Sequence, residues 1–436
     1  MNKKIRIALK IAIFLVLFYV LSMFVAAVLR DDADAYSRIL MHELYNQTDG
    51  IDILYCGASH VSHGIVADIA DEMTGKRNFS SGTAAQSIDG TYAVLKQATK
   101  LYNIERVFLE LDFAVATQKA KKERTGFSSD YLVALYLKDP LIKAEFLANI
   151  SEPKYYINHL LPIGKDKHLT LRPQDLIRKV GGIINGDYFR YNYLSDDSEY
   201  AGRGCVMDWD KIANGSFVND RDEGRIRVEA ISEDWKNTID KIIALCKEKN
   251  IALTMYSMPC SDYYLNEKGN YDEYYSFIKK FCAERGFEYY DFNLAKETFF
   301  YPEDEDFSDD NHFNKQGVLK WTRAFWTFFA SENAKEDFFY NSYAEKMAAL
   351  GDKVFGIVAK TSEDKKSISI TPITNISDKN RINYRVYTII SGKEAVLYTG
   401  GGYSISLPPN SSGKLRILAF VDGKQTNETS LHFTSL

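Results

Sequence analysis

The sequence predicts a three-layer α/β domain on a parallel sheet, with one membrane-length apolar helix before it and an all-β sandwich after it. Three observations carry that expectation. Between about residues 51 and 330, β-prone apolar runs alternate with amphipathic helical patterns, and such alternation pairs strands in parallel through right-handed crossovers. An unbroken apolar run from Ile11 to Leu29 stands near the N-terminus. From about residue 352 the hydrophobic period shortens to two, with turn residues between short runs.

Each element has its own reason. Lys3, Lys4, Arg6 and Lys10 precede the run "IAIFLVLFYVLSMFVAAVL", and Arg30, Asp31 and Asp32 close it. A helix of that length rises roughly 28 Å, about one hydrocarbon core. Positive residues before it and acids after it point its N-terminus into the cytoplasm. A cleaved signal peptide, with Ala26 and Ala27 near the cleavage site, is the alternative. Signal cores usually run only about 7–15 residues, so a single-pass anchor over residues 1–30 is expected. In either case the bulk of the chain lies outside the cytoplasm.

The α/β domain is expected over residues 31–335. Its strands read "IDILYCG" (51–57), "KRNFS" (76–80), "RVFLELD" (106–112), "IALTMYSMP" (251–259) and "FEYYDFN" (287–293). Helices are expected at 66–75, ending on Gly75, at 87–103, at 232–250, where Ser232 caps Glu233 and Asp234, and at 314–330. The stretch 114–228 breaks this rhythm and is too long for a simple connection. It carries Tyr131, Tyr136, Tyr155, Tyr156, Tyr188, Tyr191, Tyr193 and Tyr200. It follows a strand's carboxyl end, where open α/β sheets bind ligands, so an aromatic lid over a carbohydrate and plain helical packing both fit. Residues 352–436 contain about seven short runs and the turn Asp422-Gly423, which suggests an accessory sandwich of immunoglobulin or fibronectin type.

Composition excludes several classes. Hydrophobic residues make up 45% and charged residues 26%, which is globular and not disordered. The net charge of −5, without a large basic block beyond the N-terminus, argues against nucleic-acid binding. The five cysteines are an odd number with no Cys-x-x-Cys pair, so neither a zinc ribbon nor a dithiol redox site is suggested. No phosphate-loop or dinucleotide fingerprint occurs, and no cofactor is implied.

The chemistry gathers at two places. The strand "ILYC" ends abruptly in Gly57-Ala58-Ser59-His60, which sets a serine with small neighbours just past a strand's carboxyl end. A serine nucleophile needs a base, and His312 sits in "FSDDNHFNKQG" (307–317), after the last expected strand and before a helix. Asp309, three residues ahead, can fold back to the ring's second nitrogen, and Asp310 is the alternative orienter. His60-x-x-His63 has a metal-like spacing but lacks a nearby third ligand, so no metal is expected. Cys56, on the apolar strand, reads as core.

This combination resembles the SGNH, or GDSL-like, hydrolase superfamily across about residues 50–330. Gly57-Ala58-Ser59-His60 is similar to its first block in the form found in D-alanine transfer proteins of teichoic acid and alginate-type O-acetyltransferases. Asp309-Asp310-Asn311-His312 is similar to its last block, and "NFSSGTAAQS" (78–87) to its second. The resemblance implies a flavodoxin-like sheet and a Ser59–His312–Asp309 triad. It also implies an oxyanion hole from the backbone N–H groups of Ser59 and Gly82. The third block normally adds an asparagine; here Asp112 holds the nearest position, and an ionised carboxylate cannot donate. Another donor, a protonated Asp112 and a structural Asp112 all stay open. The expected function is an extracytoplasmic esterase or O-acyltransferase acting on a cell-surface glycan or teichoic-acid-like polymer, with a membrane acyl-transfer partner also in view. The competing class is a non-catalytic envelope-binding protein on a degenerate scaffold.

Overall fold

The computed structural model describes residues 3–30, 35–117, 130–157, 161, 169–209 and 226–435. By contacts the chain divides into two compact units. The first holds Met1–Met207 with Glu229–Met255, and the second holds Asp208–Val228 with Tyr256–Leu436. This division runs through the α/β sheet.

The first unit opens with α1 (Lys3–Leu29), which is long and apolar enough to cross a membrane, and α2 (Ala35–Leu44). Next come β1 (Ile53–Cys56), α3 (Ser59–Ser62), α4 (Ala67–Thr74), β2 (Asn78–Ser80), α5 (Ile88–Leu101), β3 (Arg106–Glu110) and α6 (Phe113–Ala116). Within the insertion lie α7 (Asp130–Tyr136), α8 (Pro140–Ile150), α9 (Pro173–Ile184), β4 (Ser198–Gly202) and β5 (Cys205–Asp208). They are followed by α10 (Glu233–Glu248) and β6 (Ala252–Ser257). β1 pairs in parallel with β2 on one side and β3 on the other, so Leu54 lies between Phe79 and Val107. β1 is buried throughout, which is why it reads as a continuous apolar run without alternation. The expected helix signals operate. Gly75 caps α4 at φ +67° and the Ser232 side chain accepts from the N–H of Trp235; Ser87, not singled out from the sequence, also caps α5 through the N–H of Gly90.

The second unit contains α11 (Asp262–Lys268), α12 (Tyr271–Ala283), β7 (Tyr289–Asp291), α13 (Lys315–Ala330) and α14 (Tyr343–Leu350). With β7 the parallel sheet is complete at five strands, in the order β2-β1-β3-β6-β7. β7 is shorter than the run 287–293 suggests. The Asp291 carboxylate accepts from Asn293 N–H and turns the chain into a single 3₁₀ turn at Phe292–Leu294. Phe292 packs edge-on against Trp321 and Phe328 of α13, at centroid distances of 4.8 and 5.1 Å.

Seven antiparallel strands follow: β8 (Val354–Thr361), β9 (Ser367–Thr374), β10 (Ile382–Ile390), β11 (Lys393–Gly400), β12 (Ser404–Ser406), β13 (Ser412–Val421) and β14 (Lys424–Thr434). They form sheets of order β11-β10-β13-β14 and β12-β9-β8. Ile357 and Ile370 from one sheet share a core with Tyr384, Val386, Ile417 and Phe433 from the other. Asp422 and Gly423 both have positive φ, +49° and +85°, as a two-residue hairpin turn requires.

Most of the insertion's described tyrosines are spent on packing within the first unit. The Arg38 guanidinium of α2 lies over the rings of Tyr188 and Tyr191, 3.8 and 4.1 Å from their centroids. Tyr191 also stacks on His42, and the Tyr200 hydroxyl donates to Glu43 at 2.6 Å. Tyr193 pairs with Ser198 at 3.0 Å. The side chain of Tyr131 lies outside the described residues, as do His159 and His168.

Candidate active site

Ser59 is the first residue of α3, immediately beyond β1, and is half-buried. The backbone reaches it through Gly57 and Ala58, and the space there admits no larger residue at 57. A Cβ on Gly57 would fall 2.6 Å from Val61 Cγ2 and 2.9 Å from Glu110 Oε2. The Gly82 loop lies against the same backbone: a Cβ on Gly82 would come within 2.0 Å of the Ala58 carbonyl oxygen. Only glycine permits that approach, because any side chain would meet backbone, which cannot rotate away.

Buried hydrogen bonds hold this loop in place. Ser81 donates to the Tyr55 carbonyl through both N–H (2.9 Å) and Oγ (2.8 Å). Gln86 donates through Nε2 to the Gly57 carbonyl at 2.9 Å and accepts from Thr83 Oγ1 at 2.9 Å. The Ser59 carbonyl accepts from Ser62 Oγ and from His63 N–H, both at 2.9 Å. It also faces His63 Nδ1 at 2.9 Å. A carbonyl oxygen can only accept, so that ring nitrogen carries the proton.

Under the elbow lies a buried imidazole–carboxylate pair. His60 Nδ1 stands 2.8 Å from Glu110 Oε1, with side-chain exposures of 5% and 1%. His60 is thus engaged with a carboxylate on β3, and His63 with a backbone oxygen. Among the described residues, no group of three His, Cys, Asp or Glu is placed to hold a metal ion. Cys56 is fully buried, and burial pushes its thiol up to about 12, so it stays a neutral packing group. Asp112 serves as the N-cap of α6, accepting from Ala114 N–H at 3.1 Å.

In the second unit, His312 sits on a loop clamped at its base. Phe307 and Phe313 form a β-bridge with stacked rings 4.9 Å apart, and Ser308 N–H donates to the His312 carbonyl at 2.8 Å. Asn314 caps α13 through the N–H groups of Gln316 and Gly317, and its own amide donates to the carbonyls of Glu305 and Phe307. Within this frame, Asp309 makes three contacts. Oδ1 accepts from the N–H of His312 at 2.7 Å and of Asn311 at 3.0 Å, while Oδ2 meets His312 Nδ1 at 2.7 Å. Asp310 presents its backbone carbonyl to Ser261 Oγ at 2.6 Å. Of the two aspartates, Asp309 is the one in contact with the ring. Burial would raise the Asp309 carboxyl, but the His312 charge, the ring bond and the two backbone donors outweigh it and hold the group well below the usual carboxylate range. The side chain is still 55% exposed, so water screens part of this.

Ser59 and the His312–Asp309 pair belong to different compact units. Each half has a chemical meaning by itself. With Nδ1–H directed at a carboxylate, a neutral His312 ring carries its acceptor lone pair on Nε2. The Ser59 elbow, closed by two glycines, offers a hydroxyl and backbone N–H groups at the mouth of β1.

No family model matches the chain, and no curated protein sequence matches it.

Two supporting residues escaped the sequence reading. Glu110 was legible only as a charge inside an apolar strand, "RVFLELD". Gln86 gave no signal beyond its place in a small-residue loop, because its partner, Gly57, lies far away in sequence.

Proposed function

We propose that this chain is a membrane-anchored, extracytoplasmic serine esterase or O-acyltransferase of SGNH type that forms an acyl-enzyme on Ser59. The observation that carries the proposal is the Asp309–His312 clamp. One carboxylate oxygen takes the imidazole Nδ1–H while the other takes His312's own backbone N–H, which fixes both ring and main chain. A loop histidine needs no such double constraint for packing; a general base needs its tautomer set. The order of elements adds support, since Ser59 directly follows one strand, β1, and His312 comes after another, β7.

In this reading Ser59 Oγ attacks an acyl carbonyl as His312 Nε2 takes its proton. The oxyanion is met by the backbone N–H groups of Ser59 and Gly82. Collapse expels the alcohol, protonated by His312, and leaves the acyl group on Ser59. Water, or a sugar hydroxyl of a surface polymer, then attacks the ester with His312 again as base. Asp309 stays ionised throughout because its carboxyl is held so low, and its charge offsets the imidazolium. The substrate class is an O-acylated glycan or teichoic-acid-like polymer, reached from the anchor α1.

A second reading is a non-catalytic binding protein on the same scaffold. It is favoured by Asp112, which is occupied in capping α6 where a related hydrolase would present an oxyanion donor. A fluorophosphonate probe separates the two. Labelling of the wild-type chain that vanishes in Ser59→Ala and falls sharply in His312→Ala supports the enzyme. Equal labelling in Ser59→Ala, or none in the wild type, supports the binding protein.

A further inference from the structure

α9 turns its apolar side outward. Ile177, Val180 and Ile184 recur at three- and four-residue spacing and are 73%, 41% and 78% exposed. Leu171 and Phe189 extend the same surface at 74% and 66% exposed. The opposite face is the one packed on protein. Lys179 and Gly182 are buried, and a Cβ on Gly182 would come within 2.4 Å of Leu194. An ordinary surface helix does the reverse, burying its isoleucines and exposing its lysine. A contiguous apolar surface of this kind marks a membrane or protein contact.

The position of α9 selects the membrane. It packs on α1, where the small residues Ser22 and Ala26 are buried and admit a close neighbour. Thr170 N–H donates to the Leu29 carbonyl at 2.8 Å, Arg30 bridges to Leu169, and Lys179 Nζ donates to the Arg30 carbonyl. α9 is therefore tied to the last turns of the apolar run. From Ser22 to Leu29 a helix rises about 10 Å. Interfacial helices bury their apolar face about 5–10 Å into the boundary between headgroups and acyl chains. The exposed side chains of α1 next to this contact, Leu21 at 61% and Phe24 at 56%, continue the apolar surface.

We propose that α9, with Leu171 and Phe189, lies in the headgroup layer of the bilayer that α1 spans and forms a second membrane contact. The inference rests on α1 remaining in the membrane. The exposed Arg190 flanks the apolar side chains at one end, where its guanidinium reaches lipid phosphates, while Arg172 at the other end is paired with Asp175 at 2.6 Å. A two-point attachment stops the first unit from pivoting on a single tether. It holds Ser59, which belongs to that unit, to acyl groups near the bilayer surface.

The test uses the full chain in nanodiscs of phosphatidylcholine and phosphatidylglycerol. Single cysteines are introduced at Ile177→Cys, Ile184→Cys, Phe18→Cys in α1 and Glu72→Cys on the exposed side of α4, and each is labelled with an NBD fluorophore. The five native thiols are buried and react poorly. Each substituted site is exposed, so the fold is retained. The proposal expects blue-shifted emission at 177 and 184, quenched at least twofold by phosphatidylcholine carrying a shallow doxyl group, and at 18 quenching by phosphatidylcholine carrying a deep doxyl group, with no effect of either at 72. Quenching at 18 but not at 177 or 184 overturns the proposal and leaves the anchor standing. Loss of quenching at 18 as well removes the anchor and the proposal together. A blue shift at 177 without lipid quenching overturns it in favour of a second protein on this face.

Discussion

Replacing Glu110 by alanine tests whether the pair under the elbow holds the first unit together. Glu110 is 4% exposed, its carboxylate lies 2.8 Å from His60 Nδ1, and its other oxygen borders the space a Cβ on Gly57 would occupy. Glu110→Ala removes the carboxylate that His60 Nδ1 meets and opens a void beside the chain that carries Ser59. Removing one partner of a buried pair costs about 3–5 kcal/mol. For a unit of this size each kcal/mol lowers the transition by about 2–4 °C, so the unit should melt roughly 6–20 °C lower. Glu110→Gln separates charge from shape. Its amide oxygen still accepts from a neutral Nδ1–H, and the loss is then about 1 kcal/mol. Against an imidazolium the neutral amide fails, and the loss approaches that of alanine. The assay is near-UV circular dichroism of the detergent-solubilised chain, with His60→Gln and the double variant closing a cycle. A Glu110→Ala chain melting within about 2 °C of the parent, well short of the shift expected from its size, would refute the reasoning.

Three other outcomes are expected. Gly82→Ala should abolish fluorophosphonate labelling while the far-UV spectrum is kept, because its Cβ would sit 2.0 Å from the Ala58 oxygen and only the loop must move. Asp309 titrates below its unfolded value, so its stabilisation is present above about pH 4 and is lost as pH falls through the folded value. Acid unfolding of the second unit followed by hydrogen exchange should therefore lose that component in Asp309→Asn, and an unchanged acid limb would count against it. Asp291 goes the other way: burial pushes its carboxyl up to about 6, despite donors from Tyr271, Asn293 and Tyr289. Its stabilisation is full below the unfolded value of 3.8 and is lost as pH rises through about 6. Melting temperatures between pH 4 and 7 should fall more steeply for the parent than for Asp291→Asn.

Local and periodic features were legible from residue order alone. The Asp309-x-x-His312 contact spans three residues of one loop, so its geometry follows from short-range backbone sterics. Gly75, Ser232 and Asp422-Gly423 act within a turn of themselves, and their roles follow for the same reason. The apolar runs located the sheet strands because a strand covered on both faces must be apolar throughout. What depended on distant partners could not be read. Glu110 looked like an interruption in a strand until β3 lay beside β1 and met His60. The tyrosines of 114–228 fitted both a ligand surface and plain packing, and residue order could not show that the described rings at 188, 191 and 200 meet α2, whose Arg38, His42 and Glu43 precede them by some 150 residues. α9 makes the physical reason plain. A period of 3.6 says that one side of a helix differs from the other, but which side is covered depends on the surface that meets it, and burial belongs to two surfaces together.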